Sequence, residues 1–205
     1  MDGEILTSDK RIIAAFDFDG TITKRDSMPA FIKFMSTIPD FLSGSMRMLP
    51  YLILFKLNII PNDLAKEKLF KIFFSGMNDK KFNIIAGRFS AKINDMINPE
   101  ALEKIKWHQK MGHHVIIISA SAENWIKPWA AANGIHQVLA TQLEVINGQM
   151  TGNFISKNCH GREKVNRLFE VYPERHNYTL YAYGDTNGDK ELLALADHAF
   201  YRSFW

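Results

Sequence analysis

Two aspartates separated by one residue follow a strongly apolar segment near the start of the chain. Segment 12–16 is continuously apolar, and Asp17 and Asp19 come directly after it. Such a run is typical of a strand buried on both faces of a parallel sheet, and ligands of open α/β sheets bind at the carboxyl ends of the strands. An uncompensated charge at the edge of a core is costly, and hard divalent cations prefer carboxylate oxygens. The pair therefore predicts a metal-assisted site, with a simple turn cap as the alternative.

Two further predicted strands also end in polar side chains. The apolar residues 115–118 of the predicted strand that begins at His114 are followed by Ser119, and segment 178–183 is followed by a glycine and Asp185. Because the carboxyl ends of parallel strands meet at one edge of a sheet, we expect these side chains to converge on the two aspartates.

These positions occur in an order that resembles the four motifs of the haloacid dehalogenase superfamily of hydrolases. Segment 17–21, Asp-Phe-Asp-Gly-Thr, resembles the first motif, and the strand that ends in Ser119 resembles the second. Lys164, at the start of a predicted helix, resembles the third motif, and segment 184–189, Gly-Asp-Thr-Asn-Gly-Asp, resembles the fourth. The resemblance covers essentially the whole chain.

The resemblance implies a phosphoryl-transfer mechanism with a carboxylate nucleophile. Asp17 is expected to attack phosphorus and form an aspartyl phosphate. Asp19 is expected to protonate the leaving alkoxide and then to act as the base for the water that hydrolyses the intermediate. Ser119 and Lys164 are expected to bind the phosphoryl group and offset its charge.

The resemblance also implies a magnesium ion as the cofactor. Its expected ligands are the carboxylates of Asp17 and Asp185 and the backbone carbonyl of Asp19, with water and a phosphate oxygen completing the octahedron. Asp189 is expected to orient Lys164 or a metal-bound water rather than to bind the metal.

Within the superfamily the chain is similar to subclass IB, the phosphoserine phosphatase-like hydrolases, but with departures. Glycine stands where phosphoserine phosphatases carry serine in the first motif, and Ser-Ala-Ser at 119–121 replaces their Ser-Gly-Gly. No cap arginine is assigned, although Arg47 and Arg88 are available. The substrate itself is therefore left open. The residues expected to contact substrate or phosphate are Gly20, Thr21, Asp26, Ser119, Ala120 and Lys164.

The elements that must position these residues predict an α/β fold. Strands alternate with helices after residue 97, which favours a doubly wound parallel sheet, a Rossmann-like core formed by 1–26 and 97–205. Segment 27–96 shows helical spacing without a convincing strand, and is too long for a simple crossover. We interpret it as an inserted helical cap. The dipeptide Asn147-Gly148 predicts a small β-hairpin, and segment 199–204 predicts a final strand.

Segment 46–61 is the most apolar stretch of the chain. It is interrupted by Arg47, Pro50 and Lys56, so a membrane span is not expected. A packed cap helix is the favoured interpretation, and a surface that faces lipid or an apolar substrate is the alternative. A lipid-phosphate phosphatase, similar to those acting on phosphatidylglycerophosphate, therefore stays open beside hydrolysis of a small phosphate ester.

Composition limits the remaining classes. The chain has 205 residues, 46% hydrophobic and 23% charged, with a net charge of +3 and no basic cluster typical of a nucleic-acid binder. The single cysteine, Cys159, excludes an internal disulfide framework, and the polar segment 1–10 does not resemble a secretory signal, so a cytoplasmic enzyme is expected. A catalytically idle binding protein is the alternative from a different class, and composition gives no oligomeric state.

Overall fold

A parallel sheet of five strands forms the centre of the computed structural model, which describes residues 10–204. The expectation that segment 1–10 is not a secretory signal concerns residues that, apart from residue 10, lie outside the described part. The strands in chain order are β1 (Arg11–Phe16), β2 (His114–Ala122), β3 (Gln137–Thr141), β4 (Leu143–Ile146), β5 (Gln149–Phe154), β6 (Tyr178–Gly184) and β7 (His198–Tyr201). The sheet order is β3-β2-β1-β6-β7, all parallel, and β4 pairs with β5 as an antiparallel hairpin. The predicted fold class is confirmed.

Eight α-helices surround the sheet within residues 10–204. They are α1 (Ser27–Met35), α2 (Ile38–Lys56), α3 (Asn62–Phe74), α4 (Asp79–Ile93), α5 (Pro99–Lys110), α6 (Glu123–Ala132), α7 (Arg162–Val171) and α8 (Lys190–Leu195). The first four fall inside segment 27–96, between the first strand and its parallel neighbour β2. We call α1–α4 the cap helices; the division of the chain into two domains stays a prediction.

Alternate residues of β1 face the two layers of helices. Ala14 and Phe16 pack in the apolar cluster that includes α5 and α6, whereas Ile13 and Ala15 pack in the cluster that includes α7 and α8. Both faces of the central strand are therefore buried, which explains its continuous apolar sequence.

The cap helices share an apolar core with the helices of the sheet. Phe31 of α1 stacks on Trp125 of α6 with ring centroids 4.6 Å apart, and Phe82 and Phe89 of α4 make edge contacts with Phe31. All four side chains are buried in a single cluster. The cap is thus packed against the sheet layer through aromatic side chains, which contribute large apolar area and specific ring geometry.

The hairpin is joined to the cap by backbone hydrogen bonds. The amide of Gly76 donates to the carbonyl of Met150 at 2.9 Å, and the amide of Met150 donates to the carbonyl of Met77 at 2.8 Å. The hairpin also approaches α3 closely, since a Cβ on Gly152 would lie 2.5 Å from the Cα of Lys71. The turn between α3 and α4 therefore continues the edge of the hairpin.

Two strand boundaries differ from those expected. Strand β2 does not end at Ser119 but continues to Ala122, which pairs with Thr141 after a register shift. Strand β7 ends at Tyr201 rather than at residue 204, because Arg202 adopts a left-handed backbone conformation with φ of 53°.

Helix α2 carries an exposed apolar stripe along its length. It contains the predicted apolar segment only up to Lys56, includes Pro50, and packs mainly against α3. None of the helices between residues 10 and 204 has the length and hydropathy needed to cross a membrane. We use "the α2 stripe" for the exposed side chains Ile38, Leu42, Met46, Leu49 and Ile53.

Candidate active site

A cavity of about 430 Å³ opens at the carboxyl ends of β1, β2 and β6. The structure brings most of the predicted site residues to its wall. Thr21 and Asp189 do not line it and lie behind the wall. The predicted residues that line the cavity are Asp17, Asp19, Gly20, Asp26, Ser119, Ala120, Lys164 and Asp185.

Lys164 lies between two buried carboxylates. Its Nζ donates to Asp17 Oδ1 at 2.5 Å and to Asp189 Oδ1 at 2.5 Å. Burial alone would lower the pKa of Lys164, but the two carboxylates outweigh it and raise that pKa above its usual value. The first turn of α7, which follows Gly161, places the lysine here. The ammonium is therefore held charged and fixed beside Asp17.

Asp189 uses both of its oxygens inside the protein. While Oδ1 accepts from Lys164, Oδ2 accepts from the amides of Asp185 and Thr186 at 3.2 and 3.0 Å and from the Thr186 hydroxyl at 3.0 Å. Burial opposes ionisation, but Lys164 and the Thr186 donors hold the pKa of Asp189 below its usual value. This arrangement supports an orienting role for Asp189.

Asp19 is engaged by the start of the cap. Its Oδ1 accepts from the amide of Ser27 at 2.7 Å, and Oδ2 accepts from the hydroxyl of Ser121 in a short contact. Burial, with a further contribution from the nearby Asp26, raises the pKa of Asp19 to about 6. Asp26 itself accepts from the amide of Met28 at 2.8 Å and caps α1. Asp19 therefore has the environment of a carboxyl group that can carry a proton near neutral pH.

Three buried carboxylates form an acidic cluster that could hold a metal ion. Oxygens of Asp17, Asp185 and Asp189 lie within 4.8 Å of one another. Burial raises the pKa of Asp17 well above its usual value and, together with Asp189, raises that of Asp185. Because one lysine opposes three carboxylates, this donor set fits a hard divalent cation. Asp189 is already saturated by protein donors, which leaves Asp17 and Asp185 as the available carboxylates.

Gly20 leaves space for Asp185 in this cluster. Its φ is +81°, and a Cβ on it would lie 2.3 Å from Asp185 Oδ2. Thr21, the next residue, donates its hydroxyl to Asp185 Oδ1 at 3.2 Å. The two residues therefore set the position of Asp185, and Thr21 acts on this carboxylate from behind the cavity wall.

Sequence reasoning did not find Lys66, a cap residue that lines the cavity. Lys66 and Asn62 lie four residues apart on one face of α3, and both reach the wall. The ammonium of Lys66 donates to the carbonyl of Ala120 at 2.6 Å. The helical spacing of these two residues was visible in the sequence, but nothing there shows that this face of α3 meets the end of β2. His160, which precedes α7, also lines the cavity.

Comparison with known proteins gives a matching family model and several relatives, which include two proteins aligned over most of this chain. The family model described as haloacid dehalogenase-like hydrolase matches residues 14–194. Protein CicA of Caulobacter vibrioides is 32% identical over 197 residues, which cover 94% of this chain and 86% of that protein. A protein of Mycobacterium tuberculosis named a probable phosphatase is 28% identical over 214 residues, covering 92% of this chain and 68% of that protein.

Solved structures share the fold at lower identity. A Bordetella pertussis protein of unknown function superposes with a TM-score of 0.80 at 20% identity, covering 90% of this chain and 86% of that one. Phosphoserine phosphatase, in a phospho-aspartyl intermediate analogue, superposes with a TM-score of 0.60 at 15% identity, covering 92% and 84%. These similarities support the α/β core with its helical insertion.

Proposed function

Because this chain belongs to the haloacid dehalogenase-like hydrolase family, we propose that it is a magnesium-dependent phosphomonoesterase that acts through an aspartyl phosphate. The substrate class is a small phosphorylated metabolite. The observation that carries the proposal is the buried chain of hydrogen bonds from Asp17 through Lys164 to Asp189, with Asp185 beside it. Such an arrangement places a nucleophile and a fixed positive charge at one point of a 430 Å³ cavity.

Asp17 is the proposed nucleophile. It lies at the end of β1, where its amide donates to the carbonyl of Tyr183 at 2.9 Å and fixes the backbone. The ion pair with Lys164 opposes the effect of burial, which still raises the pKa of Asp17 well above its usual value, and a cation bound beside Asp17 would favour the carboxylate form that attack requires. Lys164 and the hydroxyl of Ser119 are the proposed donors to the phosphoryl oxygens, where charge must be offset during transfer.

Asp19 is the proposed general acid and base. It lies two residues after Asp17, on the same wall, and its pKa of about 6 allows both protonation states near neutral pH. Protonated Asp19 would give its proton to the leaving oxygen, and the resulting carboxylate would take a proton from the attacking water. The hydroxyl of Ser121 and the amide of Ser27 orient the carboxyl group for both steps.

Asp17, Asp185 and the backbone carbonyl of Asp19 are the residues that would hold magnesium. When bound there, the ion would supply charge neutralisation for the phosphoryl oxygens. The absence of a side chain at Gly20 leaves room for Asp185 in this cluster, and the hydroxyl of Thr21 holds its carboxylate there.

The test is phosphate release from a panel of phosphorylated metabolites, with magnesium and with chelator. We expect turnover only with magnesium, and none for Asp17→Asn, because an amide cannot attack phosphorus. Asp197→Asn is the matched control, since Asp197 pairs with Arg175 away from the cavity. Mass spectrometry of the rapidly quenched enzyme should show a phosphoryl group on the peptide that contains Asp17. Undiminished activity of Asp17→Asn, or full activity in chelator, would contradict the proposal.

A second candidate function, hydrolysis of an amphipathic phosphate ester such as a lipid phosphate, is favoured by a groove beside the cavity. The groove, of about 560 Å³, shares Arg25 and Asp26 with the active-site cavity and is lined by Phe34, Phe41 and Phe89. Phe41 belongs to α2, whose stripe is exposed. The sequence contains no acidic residue between positions 40 and 63, which suits an anionic lipid surface.

Chain length of the substrate tests this second candidate. If the groove holds an apolar tail, kcat/KM should rise with the alkyl length of a phosphomonoester, and Phe34→Ser should abolish that dependence. Leu49→Ser on the α2 stripe should reduce binding to anionic vesicles without changing turnover of a short substrate. Equal kcat/KM for short and long esters would contradict it. No turnover on either series would instead support the idle binding protein.

A further inference from the structure

Lys66 brings a cap cation into the active-site cavity. Its Nζ lies 2.6 Å from the carbonyl oxygen of Ala120, the residue that follows Ser119 in β2. The start of α3 is also held by the segment between β5 and α7, because Asn158 Nδ2 donates to Asp63 Oδ1 at 2.9 Å. The lysine therefore reaches the site from a docked helix.

The charged groups that act on Lys66 are those of the proposed phosphoryl-transfer site. Its electrostatic partners are Asp26, Asp19 and Asp17, and Lys164 repels it. Burial lowers the pKa of Lys66, and the three carboxylates oppose that change. Lys66, Asp17 and Lys164 also line the same cavity, so that one bound anion could contact both lysines.

A hydrogen bond that only held the cap against β2 would not need a charged donor. An ammonium group has three donors, and among residues 10–204 only the Ala120 carbonyl is hydrogen-bonded to that of Lys66. A neutral donor could bind this carbonyl without the cost of desolvating a charge. The remaining donors are available to an anion that enters the cavity.

We propose that Lys66 binds a non-bridging oxygen of the substrate's phosphoryl group, so that the cap supplies a phosphate ligand in addition to Ser119 and Lys164. This inference rests on the proposed function and extends it. It assigns to the cap a part in charge neutralisation, which makes phosphoryl transfer depend on α3 being docked. Because charge-assisted hydrogen bonds to phosphate are strong, one such contact should be measurable on its own.

The experiment compares Lys66→Met, Lys66→Arg and a control, Lys68→Met, in the presence of magnesium. Lys68 is on the same helix, lies over the ring of Tyr51 at 5.7 Å and does not line the cavity. Calorimetry with inorganic phosphate should show affinity reduced by about tenfold to a hundredfold in Lys66→Met. Lys66→Arg should recover most of the lost phosphate affinity, and Lys68→Met should bind phosphate as tightly as the unmodified enzyme.

The value of kcat/KM of Lys66→Met should fall in parallel for esters with neutral leaving groups. Should Lys66→Met fail to fold, Lys66→Gln takes its place.

Three outcomes would overturn the inference. One is unchanged phosphate affinity of Lys66→Met with faster hydrogen exchange in α3, which would show that Lys66 only holds the cap in place. Another is a loss confined to substrates with an anionic leaving group, which would place the contact outside the phosphoryl group. The third is equal loss in Lys66→Met and Lys68→Met. An enzyme that binds inorganic phosphate through Lys66 but hydrolyses no phosphomonoester would support the inference and contradict the proposed function.

Discussion

The carboxylate of Asp189 and the ammonium of Lys164 are 2.5 Å apart and almost completely buried. Because Asp189 also accepts three hydrogen bonds from the turn after β6, the lysine is anchored to the end of that strand as well as to α7. A long, flexible side chain is thereby held at one position beside Asp17. This pairing gives Asp189 an indirect part in the proposed reaction.

Asp189→Asn should lower kcat by about tenfold to a hundredfold, because Lys164 loses the charged partner that fixes it. If Asp189 acts through the lysine, the same change in a Lys164→Met background should cost little. The measurement is a double-mutant cycle on kcat and on the free energy of unfolding. Additive losses in kcat would show that Asp189 acts independently of Lys164.

Asp19→Asn should slow the hydrolysis of alkyl phosphates much more than that of activated aryl phosphates, since only the former need a proton on the leaving oxygen. In the unmodified enzyme, kcat/KM for alkyl phosphates should fall as pH rises through about 6, because the protonated fraction of Asp19 falls there. This decrease in kcat/KM with rising pH should be absent from Asp19→Asn. Burst kinetics would separate phosphorylation from hydrolysis of the intermediate. Equal losses of both substrate types in the phosphorylation step would exclude the acid role.

Gly20→Ala and Gly76→Ala form a matched pair, with φ values of +81° and +80°. Each should lose about 1–2 kcal/mol of stability from the left-handed backbone conformation. Only at Gly20 would the new methyl group meet Asp185, while nothing lies within 4 Å at Gly76. Gly20→Ala should therefore also raise the magnesium concentration needed for half-maximal activity. The same magnesium dependence in both variants would show that Gly20 is not needed to place Asp185.

His108 should make the protein less stable in mild acid. It is fully buried, and its ring nitrogens contact His113 Nδ1 at 2.7 Å and the Tyr183 hydroxyl at 2.9 Å. Burial lowers the pKa of His108 to about 4 from an ordinary value of 6.5, so the unfolded chain binds a proton first as pH falls.

The free energy of unfolding should accordingly decrease between pH 6.5 and 4, by up to about 3 kcal/mol for this one group. Denaturant titrations at several pH values would measure it, with His108→Gln as the comparison. The difference in stability between the two proteins should shrink with acidification. A pH-independent difference would show that His108 is not the group responsible.

The sequence predicted which polar residues follow the central strands β1 and β6, but not which cap residues meet them. Asp17 and Asp185 follow buried apolar strands, and the parallel topology brings such ends together by a general rule. Lys66 follows no rule of that kind. Its contribution depends on how α3 docks, and Phe70 of that helix packs against Trp125 and Phe154, which are far from it in the chain. The position of such a cap residue is therefore a property of the tertiary structure.

The boundary of β2 illustrates the same limit locally. A polar residue after four apolar ones predicted an end at Ser119, yet pairing resumes at Ala122 with Thr141. The register shift lets the strand continue while the segment from Ser119 to Ser121 turns toward the cavity. The hydrophobic pattern predicts which residues are buried, but it does not predict a register shift between two strands.

The backbone hydrogen bonds between the hairpin and the α3–α4 turn bear on how substrate enters. The backbones of Gly76 and Met77 are hydrogen-bonded to that of Met150, and there is no room for a side chain at Gly152 beside the backbone of Lys71. A cap that swung away by itself would break these bonds, whereas one that carried β4 and β5 with it would keep them. The hairpin is closed at its base by the amide of Ile155 donating to the carbonyl of Gln142 at 3.0 Å. An opening of the cap that keeps these bonds would therefore carry the hairpin with it, and its pivots would lie just outside this base as well as near residues 26 and 97.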